Sequence, residues 1–395
     1  MTASLKLDSK LLERSFLEGK TQPGKLAAVP RANRLPVNLT DAQVQQFGAE
    51  IEALRQRIMD SLGEEDARYI RRVIKVQRYL EIGGRGLLFA GIFPPAWLAG
   101  TAMLSVAKIL ENMEIGHNVM HGQWDWMRDP NTHSSSWEWD NVCPSEQWQH
   151  SHNYMHHKWT NVIGMDRDVG YGILRMSERQ PWHPAYLAQP ITNALLATFF
   201  QWGVALHDVE FERLRSGEKS FAEAWVQLKQ IGKKAGKQVG KDYLLFPLLA
   251  GPFFLPVLLG NISANLVRNL WSYMIIFCGH FPDGVEDFLP EDIENEDKAH
   301  WYLRQLLGSA NISGGKLLHI MSGNLSHQME HHLFPDMPSN RYAEAGVEVR
   351  AICEKYGLPY NSKPLHRQFG SVIGKVLRLS LPNRKAKAKA QSAAA

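Results

Sequence analysis

Eight histidines gather in three short clusters: His117 and His121 in GHNVMH, His152, His156 and His157 in HNYMHH, and His327, His331 and His332 in HQMEHH. With 16 histidines in 395 residues, an HxxxHH pattern should arise by chance only roughly 0.03 times per chain. This chain has it twice, beside an HxxxH. On a helix, residues four apart share a face, so each pair (His117/His121, His152/His156, His327/His331) can aim two imidazoles at one point. The second histidine of each HH pair projects about a quarter-turn away. Eight imidazoles exceed the four ligands of one tetrahedral zinc, so two metals sharing an all-histidine cage is the economical reading.

The three boxes must meet in space, and no Pro/Gly/Ser linker separates them, so one catalytic domain is expected. Cys143, Cys278 and Cys353 are far apart, match no CxxC pattern and need no disulfide, which fits a reducing compartment. The first twenty residues carry charges where a signal peptide needs an apolar stretch. A net charge of +4 leaves no nucleic-acid footprint. Basic residues concentrate in Lys233–Lys241, directly before an apolar stretch, where they read as a positive-inside signal, and in Arg384–Ala390, which reads as a tail.

The mean hydropathy of -0.29 hides strongly apolar blocks. The longest, Tyr243 to Phe281, is interrupted near Gly260-Asn261, and its halves of about 18 and 20 residues each approach the length of a membrane-crossing helix. A second block, Tyr79 to Gly116, breaks at Pro94-Pro95 and carries Glu81, Arg85, Lys108, Glu111 and Glu114. A third, Ile191 to Leu206, is short for a span. Boxes that share metals lie on one membrane face, so the chain crosses an even number of times between His157 and His327. A hairpin at 243–281 meets that condition, which leaves 191–206 interfacial, re-entrant or buried. The expected architecture is an all-α integral membrane protein with about four transmembrane helices and a cytoplasmic helical cap. Its parts are an N-terminal cytoplasmic helical region over 1–78, a membrane domain with the boxes over 79–366, and a basic, disordered tail over 367–395. Within the first part, Thr40 and Gln43 form a capping box ahead of Ile51, Leu54, Ile58 and Leu62 at helical spacing.

Several stretches, ENMEIGHNVMHGQWDW, HNYMHHKWTNVIGMDRDVGYG, FCGHFPDG, WYLRQLLGSANIS and SGNLSHQMEHHLFPDMPSNRY, resemble the membrane fatty acid desaturases, most closely the bacterial acyl-CoA Δ9 (stearoyl-CoA type) enzymes. The resemblance covers roughly Leu80 to Pro364. It implies four membrane helices under a cytoplasmic cap holding a diiron centre, in the inner membrane with the site facing the cytoplasm. Its ligands would be His117, His121, His152, His156, His157, His331 and His332, with His280 of CGHFPDG as a further one. Related families place His or Gln three residues before the third HH pair, where this chain has Gln328. His327 repeats the spacing of box two and is preferred here as the ligand, with Gln328 as the alternative. The resemblance also sets Trp148 beside the acyl chain.

Imidazole serves iron, zinc, copper and nickel alike, so the choice of two irons comes from the resemblance. Removing hydrogen from an unactivated methylene requires a redox metal and O2, which excludes zinc from that role. Reduction of O2 to water takes four electrons, of which the acyl chain gives two. No flavin, nicotinamide, ferredoxin-type or haem-binding motif occurs in the chain, so the other two are expected from NADPH through a separate flavin and iron–sulfur protein. Long-chain acyl-CoA, O2 and membrane lipid complete the expected partners. Glu114, three before His117, and Asp166 and Asp168, just after box two, are candidate acceptors for the free ring N–H of ligand histidines. Diiron hydroxylases share the boxes and are the alternative reading. A desaturase of phospholipid-bound chains is another, since the acyl carrier is not legible.

Overall fold

A computed structural model of the chain describes residues 35–383. The predicted capping box forms. Gln43 N–H donates to Thr40 Oγ1 at 3.3 Å and Thr40 N–H to Gln43 Oε1 at 2.9 Å, opening α1 (Asp41–Asp60) and satisfying donors a helix start leaves free. The buried face of α1, with Ile51, Leu54 and Ile58, joins a core with Leu303, Leu306, Tyr342 and Val349. α2 (Glu64–Phe89) runs unbroken through residue 78, so the expected boundary between 78 and 79 falls inside a helix.

α3 (Pro94–Leu110) starts at the proline pair, whose fixed φ and missing N–H suit a first turn. It crosses α2 at Gly84 and Gly100, where a Cβ on Gly84 would stand 3.0 Å from the Gly100 carbonyl oxygen. Beyond Leu110 the helix widens into a π-turn, Glu111–His117, and ends with Asn118–Met120. Box two repeats the device: a turn at Ser145–Trp148, a π-turn at Gln149–His156, then His157–Trp159.

The 191–206 block forms two short helices, α4 (Gln189–Thr198) and α5 (Phe200–His207), broken at Phe199. At about 1.5 Å per residue neither approaches the ~30 Å of a hydrocarbon core. α6 (Phe221–Val239) continues through a π-turn at Gly240–Leu245 to Leu249. The chain then turns at Gly251, whose φ is +56°, and returns as α7 (Phe254–His280). The hairpin therefore turns at 250–253 rather than at Gly260-Asn261. Those two residues lie buried within α7, and a Cβ on Gly260 would meet Leu88 Cδ2 at 2.5 Å.

α8 (Lys298–Leu307), β1 (Asn311–Ser313), α9 (Gln328–Leu333), α10 (Tyr342–Tyr356), β2 (Ser362–Pro364) and α11 (Leu365–Leu379) complete the cap. β1 and β2 pair in parallel, Asn311 with Ser362 through Ser313 with Pro364. α11 corrects the expected tail over 367–395. Val372 and Val376 are buried against Tyr273 and Phe277, because apolar residues at i and i+4 make an amphipathic face inside a basic stretch. The run Arg384–Ala390 lies outside the described residues.

The helical architecture expected from the sequence is present. Among the described residues no helix is both long and apolar enough to cross a membrane. Polar residues interrupt the apolar stretches and pair inside the bundle: Lys108 Nζ lies 2.7 Å and Arg85 Nη2 3.0 Å from the Asp242 carboxylate, and Arg268 Nη2 donates to Asn265 Oδ1 at 3.2 Å.

Fully buried Arg304 ties α8 to the end of box two. It donates to both Glu296 carboxylate oxygens at 2.7 and 2.8 Å and to the carbonyls of Thr160 and Lys158 at 3.0 and 2.8 Å. Arg304→Met strands all of these acceptors. It should cost about 3–5 kcal/mol, the range for breaking one partner out of a buried pair. Thermal or denaturant unfolding checks this, and a loss under about 1 kcal/mol would contradict it.

Candidate metal centre

Four segments bring their histidines to one place. The first π-turn ends on His117, and His121 follows with its ring centroid 4.6 Å away. The second holds His152 and His156, stacked at 5.0 Å. α7 delivers its last residue, His280, to 4.7 Å from both His156 and His332. α9 supplies His331, 4.7 Å from His121 and 5.0 Å from His117.

Two groups emerge, His117, His121, His152 and His331 in one and His156, His280 and His332 in the other, each with ligand atoms within 4.8 Å of one another. His157 stands between them, with His331 and His332 as a third such group. Its ring lies 4.7 Å from His121 and 4.4 Å from His332.

Which nitrogen faces inward is set from outside. Nδ1 of His156 lies 3.0 Å from Asp166, that of His331 3.1 Å from the Tyr342 hydroxyl, that of His332 2.9 Å from Gln305 Oε1 and that of His117 3.0 Å from Asn118 Oδ1. His152 Nδ1 is 3.5 Å from Asp168. A ring that donates from Nδ1 keeps the lone pair on Nε2. The Nε2 atoms of His121, His152, His156, His157 and His331 are buried with no hydrogen-bond partner among the described residues, and Nε2 of His280 and His332 approach to 3.2 Å. Buried acceptors without donors are costly, and cations at the two groups would satisfy them. The donor set therefore fits two metal ions.

The electrostatics agree. Burial, reinforced by the neighbouring imidazoles, holds His121, His157, His331 and His332 far below the usual histidine range, and burial with His152 pushes His117 down to about 3. Burial opposes charge at His156 too, but Asp166 and Asp168 outweigh it and raise that group. Most of the cluster is thus held in the neutral form a metal requires.

Asp166 and Asp168 take the positions expected for them. Asp166 is itself fixed by the backbone N–H groups of Asn161 and Asp168 at 2.8 and 2.9 Å. Two expectations are corrected. Glu114 does not touch His117; it accepts from Tyr69 and Ser339 at 2.9 and 2.6 Å and from Asn324 at 2.9 Å. The π-turn winds fewer degrees per residue than an α-helix, so the three-residue spacing turns Glu114 off the His117 face, and adjacent Asn118 takes the ring instead.

His327 stands outside the cluster. It ends a 3-10 turn at Leu325–His327, and α9 begins only at Gln328, so His327 and His331 do not share a helical face. Its ring packs on His319 at 4.6 Å. Gln328 reaches the site instead, its amide nitrogen 2.9 Å from His280 Nε2. Trp148 stacks on His152 at 4.4 Å. His207, which stands alone in the sequence, lies 3.2 Å from Asp168; like Gln305 and Tyr342, it comes from a distant segment and leaves no spacing signal.

From His117, Trp148 and His152 a narrow cavity of about 60 Å³ runs past Phe200 and Ile276 to Arg268. A largely apolar space beside two groups of histidines able to hold metal suits oxidation of an alkyl chain.

The chain belongs to the fatty acid desaturase family, whose model matches residues 93–364. It is 49% identical over 351 residues to an NADPH-dependent stearoyl-CoA 9-desaturase of Mycobacterium tuberculosis, spanning 88% of this chain and 82% of that protein. An sn-1 linoleoyl-lipid 6-desaturase of Synechocystis is 25% identical over 286 residues, covering 70% and 79% of the two chains. Human fatty acid desaturase 3 is 26% identical over 225 residues, covering 56% and 47%. The resemblance drawn from the boxes is borne out.

These positions rank two adjacent residues. His327→Ala should leave bound metal unchanged, whereas Gln328→Ala, by removing the amide that occupies the His280 Nε2 lone pair, should change affinity at the second group about tenfold. Elemental analysis after chelator titration separates them, and the opposite order would return His327 to the centre.

Proposed function

We propose that the chain is an O2-dependent acyl-CoA desaturase that introduces a cis double bond at carbon 9 of a saturated fatty acyl chain at a diiron centre. The observation that carries this reading is the convergence of eight histidines into two adjoining groups at the head of an apolar cavity. Two irons held there would supply the O2-dependent redox chemistry that no side chain offers. His117, His121, His152 and His331 would hold one, His156, His280 and His332 the other, with His157 between them.

The chain's own residues set position and environment. Asp166, Asp168, Gln305 and Tyr342 fix the imidazole tautomers and orientations. Met113, Trp148, Phe200, Val204 and Ile276 line the cavity, where they take up methylenes and exclude water from the carbons to be oxidised. The balance is one acyl chain, O2, two electrons and two protons in, and one alkene and two waters out. The two electrons come from NADPH through a separate redox protein, in keeping with the NADPH-dependent relative and with the absence of redox-cofactor motifs from this sequence.

An inner-membrane location, with four crossings and the histidines on the cytoplasmic side, belongs to the same proposal. Two helical hairpins support it. Their tips meet where Trp97 Nε1 donates to the Pro256 carbonyl at 3.0 Å, and around that contact Ile92, Phe93, Leu98, Leu248 and Leu249 are each 60–66% exposed. Large apolar side chains concentrated at one end of a bundle favour a lipid surround, while the ion pairs of Asp242 are kept inside.

Expression in a desaturase-deficient host should yield fatty acids unsaturated at carbon 9, located by mass spectrometry of derivatised lipids; a hydroxylated product would overturn the reading. Purified protein should hold two irons. His152→Ala, His331→Ala and His280→Ala should each abolish the product and lower bound iron, and full activity in any of the three would remove that histidine from the ligand set.

A further inference from the structure

Helix α6 has two unlike faces. On the inner one, Ala224 and Ile231 are buried in the cluster that holds Trp139, Cys143 and Trp148. Lys234 Nζ donates to the carbonyls of Trp139 and Cys143 at 3.0 and 3.1 Å, and Gln147 Nε2 donates to Gln230 Oε1 at 2.5 Å. Trp148 in turn stacks on His152. The helix is thus seated on the segment leading into box two, and its own thickness of about 10 Å, with Trp148 beneath it, separates its outer face from a histidine of the centre.

The outer face is apolar at one end and basic at the other. Phe221, Trp225 and Val226 are 68%, 48% and 56% exposed. The rings of Phe221 and Trp225 lie parallel at 6.1 Å, and Lys229 Nζ sits 5.4 Å above Trp225. Lys229, Lys233 and Lys237 follow at four-residue spacing. Lys234 and Lys241 turn inward onto Glu138 and Asp140, but these three have no acidic partner among the described residues. The acid on this stretch, Glu223, is committed to capping the helix at Ser220.

We propose that this face docks an acidic electron-transfer protein. The inference rests on the desaturase reading, which requires two external electrons per double bond. A chain without a redox-cofactor motif must receive them across its surface. Aromatic anchors flanked by cations are the composition of protein–protein contact sites, and unpaired lysines select an acidic partner and speed its approach. The position of α6 over Trp148 makes this the face from which a packed aromatic route leads to His152.

The test uses the full-length protein in detergent and a plant-type [2Fe–2S] ferredoxin, an acidic one-electron carrier. Binding is read by fluorescence anisotropy across salt concentrations. Desaturation is read with NADPH and the ferredoxin's own reductase, and separately with reduced methyl viologen, which requires no docking. Combined Lys229→Glu, Lys233→Glu and Lys237→Glu should raise the ferredoxin Kd about tenfold or more at low salt and remove its salt dependence, with viologen-driven turnover within about twofold of the parent. Trp225→Ala should weaken binding while keeping the salt dependence. The proposal is overturned if charge reversal leaves Kd unchanged, if the parent does not bind ferredoxin, or if viologen-driven turnover falls as far as ferredoxin-driven turnover. Binding is read without turnover, so an absence of product with every donor would reject the desaturase reading while the docking result stands by itself.

Discussion

Packing eight imidazoles into one dry enclosure is unfavourable unless their inward nitrogens find a cation. Each ring gives up water on one side, and neighbouring imidazoles penalise protonation, so most of the cluster is held neutral, with His156 beside Asp166 and Asp168 the exception. Nothing among the described residues supplies donors to Nε2 of His121, His152, His156, His157 or His331. The residues on the outer side of the rings, Asp166, Tyr342, Gln305 and Asn118, do the opposite, binding Nδ1 and so directing Nε2 inward. Binding energy for two metals would accordingly add to the folding energy of the cap, beside contacts such as those of Arg304 that already tie its segments together.

The local device that makes convergence possible is the widened turn. The π-turns of boxes one and two each close on a histidine, His117 in one and His156 in the other. An inserted residue per turn weakens the backbone ladder but changes the angle at which successive side chains leave the axis, and such turns concentrate at functional sites for that reason. Here it lets His156 and the following His157 diverge, with His156 facing His280 and His332 and His157 facing the space between the two groups. The same rotation explains why Glu114 serves Tyr69, Ser339 and Asn324 rather than the centre.

Boxes one and two were legible in the sequence because their spacing lies within a helix, even a distorted one. Box three was legible only in its HH pair. Helical periodicity was extended through HQMEHH, yet the chain between Asn324 and Gln328 is a left-handed residue followed by a 3-10 turn, so the four-residue rule had no helix to act on. Asp166 and Asp168 were within reach because they follow box two directly. His207, Gln305 and Tyr342 were not, since each arrives through a tertiary contact. The hairpin turn at Gly251 was hidden by two flanking prolines and a glycine that read as part of an apolar run, whereas Gly260, taken for the break, is a packing glycine pressed against Leu88. The end of the chain failed differently. Its basic composition masked the i, i+4 valines that bury α11.

Trp148 shows how one side chain can serve several demands at such a centre. One face of its ring lies on His152, its edge reaches His117 and His121 at 5.2 and 5.5 Å, and it forms part of the cavity wall while anchoring the cluster beneath α6. A polar residue there would bring water to the head of the cavity, and a smaller one would leave a void between α6 and the metal ligands. Alkyl substrate and external electrons make incompatible requests of an active site, one for a sealed apolar slot and the other for proximity to solvent and a partner. A single buried indole between slot and surface would meet both, excluding water while keeping α6 in packing contact with the histidine cluster.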